Sequence, residues 1–289
     1  MNSLQPQRPT FGIGAVTLAR FEITRQLRSP FSWLSLALLA MISGLTGRWL
    51  GTKATTVQEW VAQADSAQVG DLEFWGSASV TVETLMALLK AHPPLLLAMF
   101  AGALMLVPTL ALTFGYDQTA TDIRSKHCRF LLTRLSRDEL YLGKTLAALG
   151  MLAGAWTLTL ALAGGAYLVT ATVDTGGDAL MYLVRIWATT MAATVPYVTF
   201  LGLLNAICGR GWLTLMLCFI LWIGLTIVGA IGSAMDAPVD VTSWLFPNYA
   251  RHTLASDTLD VQALTWAHGV IFSLISYLSG MWWFRRRDL

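Results

Sequence analysis

The chain has 289 residues, of which 55% are hydrophobic and only 12% charged, with a formal net charge of +2 and a mean hydropathy of +0.58. A charged fraction about half that of an average soluble domain points away from a soluble globule and towards an all-α integral membrane protein. So small a net charge gives no ground for a nucleic-acid partner. The three cysteines, Cys128, Cys208 and Cys218, lack metal-ligand spacing, so neither a disulfide framework nor a zinc site follows.

Residues 1–10 are polar, contain two prolines and read as a disordered tail. No apolar core of signal-peptide length with a small-residue cleavage site follows. Residues 11–28 are periodic: Val16, Ala19, Ile23 and Leu27 fall on one helical face, and Thr17, Arg20, Thr24 and Arg28 on its neighbour. This predicts a helix in the membrane interface, carrying Arg20, Glu22, Arg25 and Arg28, with its arginines reaching towards headgroups. A solvated helix preceding a span is the plainer alternative. Ser29-Pro30 ends it.

A first span is predicted over residues 31–50, near the ~20 residues that cross a bilayer, with Trp33 and Trp49 spaced as interfacial anchors. Residues 51–92 read as a mixed external segment in which Val82, Leu85, Met86 and Leu89 make an apolar helical stripe. A second span opens at Pro93-Pro94 and continues to Phe114, with a kink at Pro108. Residues 116–144 then form a charged amphipathic loop. Third and fourth spans over 146–170 and 186–207 flank the acidic turn 174–178, and the turn Cys208-Gly-Arg-Gly211 leads into a fifth over 212–235. A second external segment, 236–262, carries the apolar patch Trp244-Leu-Phe246. The sixth span, 264–284, has Trp266 and Trp282 near its ends and stops at Arg285-Arg-Arg287.

Six spans with both termini cytoplasmic place every Lys and Arg inside except Arg48, Lys53, Lys90, Arg185 and Arg251. That asymmetry sets the orientation. The chain is read as a single transmembrane domain over residues 1–289.

No catalytic constellation emerges, so the chain is not expected to be an enzyme. Gly143-Lys144-Thr145 ends like a phosphate-binding loop, but Asp138 stands where the leading glycine is required, and a membrane helix follows. H-E-x-x-H and G-x-S-x-G are missing from the sequence. His127 and Cys128 are neighbours that point apart on a helix, which argues against a metal site with Asp122. Within the spans, His268, Arg185 and Asp117 sit near ends where they can reach water, and Asn205 suits a helix-helix contact. The spans read as a scaffold or permeation surface without an energy source of its own.

Asp117, Asp122, the run Phe130-Leu-Leu-Thr-Arg-Leu-Ser-Arg-Asp-Glu-Leu140 and Gly143-Lys144 resemble the cytoplasmic loop of type-2 ATP-binding-cassette (ABC) exporter permeases. Residues 19–30 resemble that family's interfacial helix and 284–289 its usual ending, so the likeness extends over the chain. Lys126-His127 and Arg134-Leu135 depart from the pattern.

The resemblance implies a membrane-spanning permease that couples ATP hydrolysis on separate ATPase subunits to export. Two ATPase copies would dock on a cytoplasmic coupling helix through Asp117, Asp122, Arg124, Phe130, Leu131, Leu135 and Arg137. ATP and Mg would be held by the partner, and no cofactor by this chain. A second permease subunit, as a homodimer, and the bacterial cytoplasmic membrane are further implications. The alternative is a membrane anchor that transmits force or signal to an external partner through 51–92, without solute flux. Lipids, hydrophobic peptides and drugs fit the apolar spans equally well as cargo.

Overall fold

The computed structural model describes residues 12–63, 94–124, 127–171, 176–234 and 259–287. The amino-terminal tail, the stripe at 82–89 and the patch at 244–246 lie outside the described residues. Every regular element among the described residues is helical. In chain order they are α1 (Ile13–Leu27), α2 (Pro30–Gln63), α3 (Pro94–Gly115), the short α4 (Ala120–Arg124) and α5 (His127–Leu132), α6 (Arg137–Thr170), α7 (Gly176–Cys208), α8 (Gly211–Ala234) and α9 (Leu259–Arg286). Helices of α2, α3, α6, α7 and α9 are long and apolar enough to cross a membrane. The 24 residues of α8 would extend about 36 Å, against a hydrocarbon core of about 30 Å.

Helices α3, α6 and α7 pack together at the centre; α1 and α2 lie on α6, and α9 lies on α7. The core between them is built from Leu96, Phe100, Leu152, Trp156, Tyr167, Ile186 and Val198. Phe100 meets Tyr182 edge-on with ring centroids 6.4 Å apart. Trp33, Leu38, Leu45 and Trp49 of α2 point outwards, as do Trp266, Ile271 and Ile275 of α9, which suits helices whose outer faces meet lipid. Hydroxyls on the buried faces of the spans return to their own helix: Thr145, Thr159, Thr190 and Thr194 each donate to the carbonyl four residues back. Such bonds satisfy a polar group where no water is available.

Three helix boundaries differ from the sequence expectation. Helix α2 continues past residue 50 to Gln63, because Gly51 is a packing residue there and no break occurs. A Cβ on Gly47 would collide with the Ala163 carbonyl, and one on Gly51 would meet the Thr170 hydroxyl and lie 3.0 Å from the Tyr167 carbonyl oxygen. Gly47-x-x-x-Gly51 is therefore a small-residue face on which α2 and α6 approach backbone to backbone. Helix α6 starts at Arg137, inside the expected loop 116–144, because Ser136 and Glu139 form a reciprocal capping box. Helix α7 starts at Gly176, within the expected acidic turn, and buries Ala179, Tyr182 and Leu183 in the core.

The charged end of the bundle gathers the ends of five helices. Asn205 near the end of α7 donates from its side-chain amide to the Gly115 carbonyl that closes α3, at 3.0 Å, and accepts from Thr214 near the start of α8 at 3.2 Å. Arg287, just past α9, donates to the Ala206 carbonyl of α7 at 2.6 Å. Gly209, with φ of +63°, makes the turn between α7 and α8 beneath that guanidinium. Arg137 opens α6 at the same end. The contact expected of Asn205 is the one observed.

Candidate functional site: the charged end between alpha3 and alpha6

The segment between α3 and α6 is built by two short helices and a cap. Phe114-Gly115 ends α3, and α4 and α5 carry the chain across to Ser136, which accepts the Glu139 amide and nucleates α6. Leu131, Leu132 and Leu135 are partly buried against Leu18, Leu140, Tyr141 and Phe284. They fasten the segment to α1, α6 and α9, so it sits on the bundle as a packed shelf. Phe130, on the other side of α5, is 75% exposed, and Arg124, Arg129 and Arg134 are exposed around it. An apolar ring standing among solvated cations is the pattern of a docking surface.

Beneath the shelf lies a buried ion cluster drawn from three elements. The Lys144 ammonium of α6, 4% exposed, donates to Glu22 Oε1 of α1 at 2.5 Å and also pairs with Asp122 Oδ2 of α4. Arg25 of α1, 49% exposed, lies 2.7 Å from Glu22 Oε2 and 3.9 Å from Asp122 Oδ1. Two carboxylates against two cations balance in charge, which is the condition for keeping such groups out of water. Glycines allow the approach: a Cβ on Gly143 would lie 2.9 Å from the Ala15 carbonyl oxygen, and one on Gly14 would lie 2.8 Å from Glu139 Oε1. The Gly143-Lys144 pair thus combines close helix contact with the central cation. Cys128 of α5 is buried nearby, and its thiol is pushed up to about 11, first by burial and then by the Asp122 charge, with Lys144 opposing.

The seven residues expected to couple to an ATPase divide by this geometry. Arg124 and Phe130 face outwards. Leu131 and Leu135 hold the shelf down. Asp122 faces inwards, its carboxylate paired with the Lys144 ammonium. Arg137 caps the last helix, donating to the Arg285 carbonyl at 2.5 Å and the Arg287 carbonyl at 2.7 Å. Its neighbour Asp138 forms a two-pronged pair with Arg285 at 2.6 and 2.5 Å. Asp117 places Oδ1 3.3 Å from where a Cβ of Gly211 would stand, so its carboxylate sits at the positive end of α8.

On α1 the face turned to the protein is Gly14, Ala15, Leu18, Ala19 and Glu22, one step round from the stripe that periodicity selects. Val16 and Leu27 of that stripe are exposed together with Ile13 and Phe21, while Arg20 and Arg28 are exposed beside them. Glu22 and Lys144 were each visible in the sequence as members of motifs, but nothing in their spacing, 122 residues apart, signals that they pair.

Residues 16–289 match the family model described as ABC-2 family transporter protein. No curated protein matches the chain.

Proposed function

Because the chain belongs to the ABC-2 family of transporter proteins, a family of membrane permeases that work with ABC ATPase subunits, we propose that it couples ATP hydrolysis on a partner chain to export. The observation that carries this reading is the Phe130 shelf: an exposed aromatic ring on a short helix whose leucines pack against α1, α6 and α9, next to α4, which a buried ion cluster ties to α1 and α6. A load placed on Phe130 reaches the interfacial helix and the longest core helix through the packed leucines, and those two helices are held to each other by the buried Glu22–Lys144 pair. The shelf has little slack, because its own leucines are packed.

In this reading the charged end is cytoplasmic, in keeping with the clustering of basic residues there. Six spans, with α8 as the fifth, return both termini to that side. Two copies of the chain with two ATPase subunits form the working unit in a bacterial cytoplasmic membrane. ATP and Mg belong to the ATPase, and this chain supplies the docking surface and the pathway.

The test is co-purification and ATP hydrolysis with the cognate ATPase in lipid nanodiscs, comparing wild type with Phe130→Ala/Arg124→Ala. Asp122 is left untouched, because its loss would disturb the ion cluster as well as any interface. The expected result is retained folding with lost ATPase binding or stimulation. A wild-type chain that binds no ATPase would sink the reading and favour a membrane anchor acting on an external partner.

A further inference from the structure

Tyr141 stands in the second turn of α6, and its ring packs against Tyr277 and Phe284 of α9 with centroids 5.3 and 5.7 Å away. The residue is 1% exposed. Its hydroxyl enters the seam between α7 and α9 at two glycines: a Cβ on Gly280 would collide with Oη, and one on Gly202 would lie 2.9 Å from it. The two helices approach closely there, since the Gly280 Cβ position is also 3.0 Å from the Leu203 Cα. A side chain at either glycine would take the room of the phenol.

Gln118 reaches the same point from the turn that follows α3, and it is 6% exposed. Its Nε2 donates to the Val198 carbonyl at 3.3 Å, so Oε1 is the end that looks towards Gly202, 3.2 Å from the same Cβ position. Tyr141 Oη and Gln118 Oε1 are therefore no more than about 6 Å apart. Among the described residues neither atom has a hydrogen-bond partner. Buried polar atoms are nearly always paired, with protein or with ordered water. A hydroxyl that needs an acceptor and a carbonyl oxygen that needs a donor call for one molecule that does both. A single water bonding each at about 2.8 Å bridges a gap of up to about 5.6 Å. A metal cation would want about six oxygen ligands and would bury a charge with no counter-ion, and two neutral oxygens answer neither need.

We propose that Tyr141 and Gln118 hold one buried water between them, which accepts from the Tyr141 hydroxyl and donates to the Gln118 carbonyl oxygen. Gln118 lies at the start of the segment that carries Phe130, and Tyr141 lies just beyond its end. The water thus clasps the two ends of that segment together, with the clasp seated in the seam of α7 and α9 and separate from the ion cluster. The site does not rest on the export reading.

The full chain in lipid nanodiscs is exposed to brief X-ray radiolysis in water enriched in heavy oxygen, and the oxygen added to each peptide is read by mass spectrometry. Radicals born from a bound water attack the ring beside it. Tyr141 should therefore be labelled at least about fivefold faster than Phe100, which is equally buried but set in the apolar core. Gly202→Ala puts a methyl 2.9 Å from the hydroxyl and 3.2 Å from Gln118 Oε1, in the way of the water, and should bring Tyr141 down to the Phe100 rate. Tyr141→Phe gives a reading that does not depend on that variant folding. Removing a bonded hydroxyl should lower the unfolding midpoint by at least about 2 °C, whereas removing an unpaired one leaves it unchanged or raises it. Wild-type Tyr141 labelled no faster than Phe100 overturns the proposal; joined to a lowered midpoint in Tyr141→Phe, that result assigns a direct Tyr141–Gln118 bond in its place. A midpoint that is unchanged or raised in Tyr141→Phe overturns it as well.

Discussion

Replacing Lys144 by methionine keeps the length of the side chain and removes its charge, which isolates the ion cluster from packing. In the wild type one ammonium serves Glu22 and Asp122, both almost fully buried. Without it, two carboxylates about 5 Å apart face each other, a repulsion of roughly 3 kcal/mol at an effective dielectric of about 20. Arg25 stays 2.7 Å from Glu22 and 3.9 Å from Asp122 but is half exposed, so it offsets only part of this. The expected loss is about 2–4 kcal/mol, overlapping the lower part of the range of about 3–5 kcal/mol typical of broken buried pairs. Thermal unfolding in detergent and equilibrium unfolding in bilayers would both register it. A second substitution, Asp122→Asn on the Lys144→Met background, should restore at least about 1 kcal/mol, because it removes the charge left unpaired. Wild-type stability for Lys144→Met, or no recovery in the double variant, would refute the view that these three groups share one charge balance.

Arg25→Gln should cost less than about 1 kcal/mol, since that arginine is half in water; the same unfolding assay decides it. Phe130→Ala should leave stability within about 0.5 kcal/mol of wild type and weaken ATPase binding about tenfold, as expected for an exposed aromatic anchor worth roughly 1–2 kcal/mol. Gly47→Ala should lower stability by more than about 2 kcal/mol, because its Cβ would collide with backbone atoms of Ala163, whereas Gly44→Ala, with open space around it, should not. Cys128, its thiol raised from 9.0 to about 11, should react with maleimide at pH 7.5 about a hundredfold slower than an ordinary thiol from thiolate fraction alone. Because the folded protein holds this proton more tightly, the thiol's contribution to stability is constant below pH 9 and is lost as pH rises from about 9 to about 11. The pH dependence of unfolding in Cys128→Ala, compared with wild type, should be shallower over that window.

Composition alone determined the class, because a helix is the cheapest way to carry so many apolar residues through lipid with its backbone satisfied. Periodicity and tryptophan spacing located most spans. The charge asymmetry picked out the end at which α1, the α4–α5 shelf and the carboxyl end of α9 come together. The sequence likewise exposed the shelf itself, since Phe130, Leu131 and Leu135 stand in a run of charges between two apolar stretches.

Helix ends were harder to place, and for a physical reason. Ser136 with Glu139 is a local signal that the charge of the segment masks, and Gly51 looks like a breaker until Thr170 and Tyr167 are seen against it. The roles of the charged residues depended wholly on tertiary structure. Asp122 and Arg124 are equally polar in sequence, yet one is buried on Lys144 and the other faces solvent. Arg137 turns from a free cation into the cap of a helix that begins over 120 residues later. A side chain's type fixes what it can pair with, but which partner reaches it is decided by how the helices cross, and no local pattern encodes a crossing.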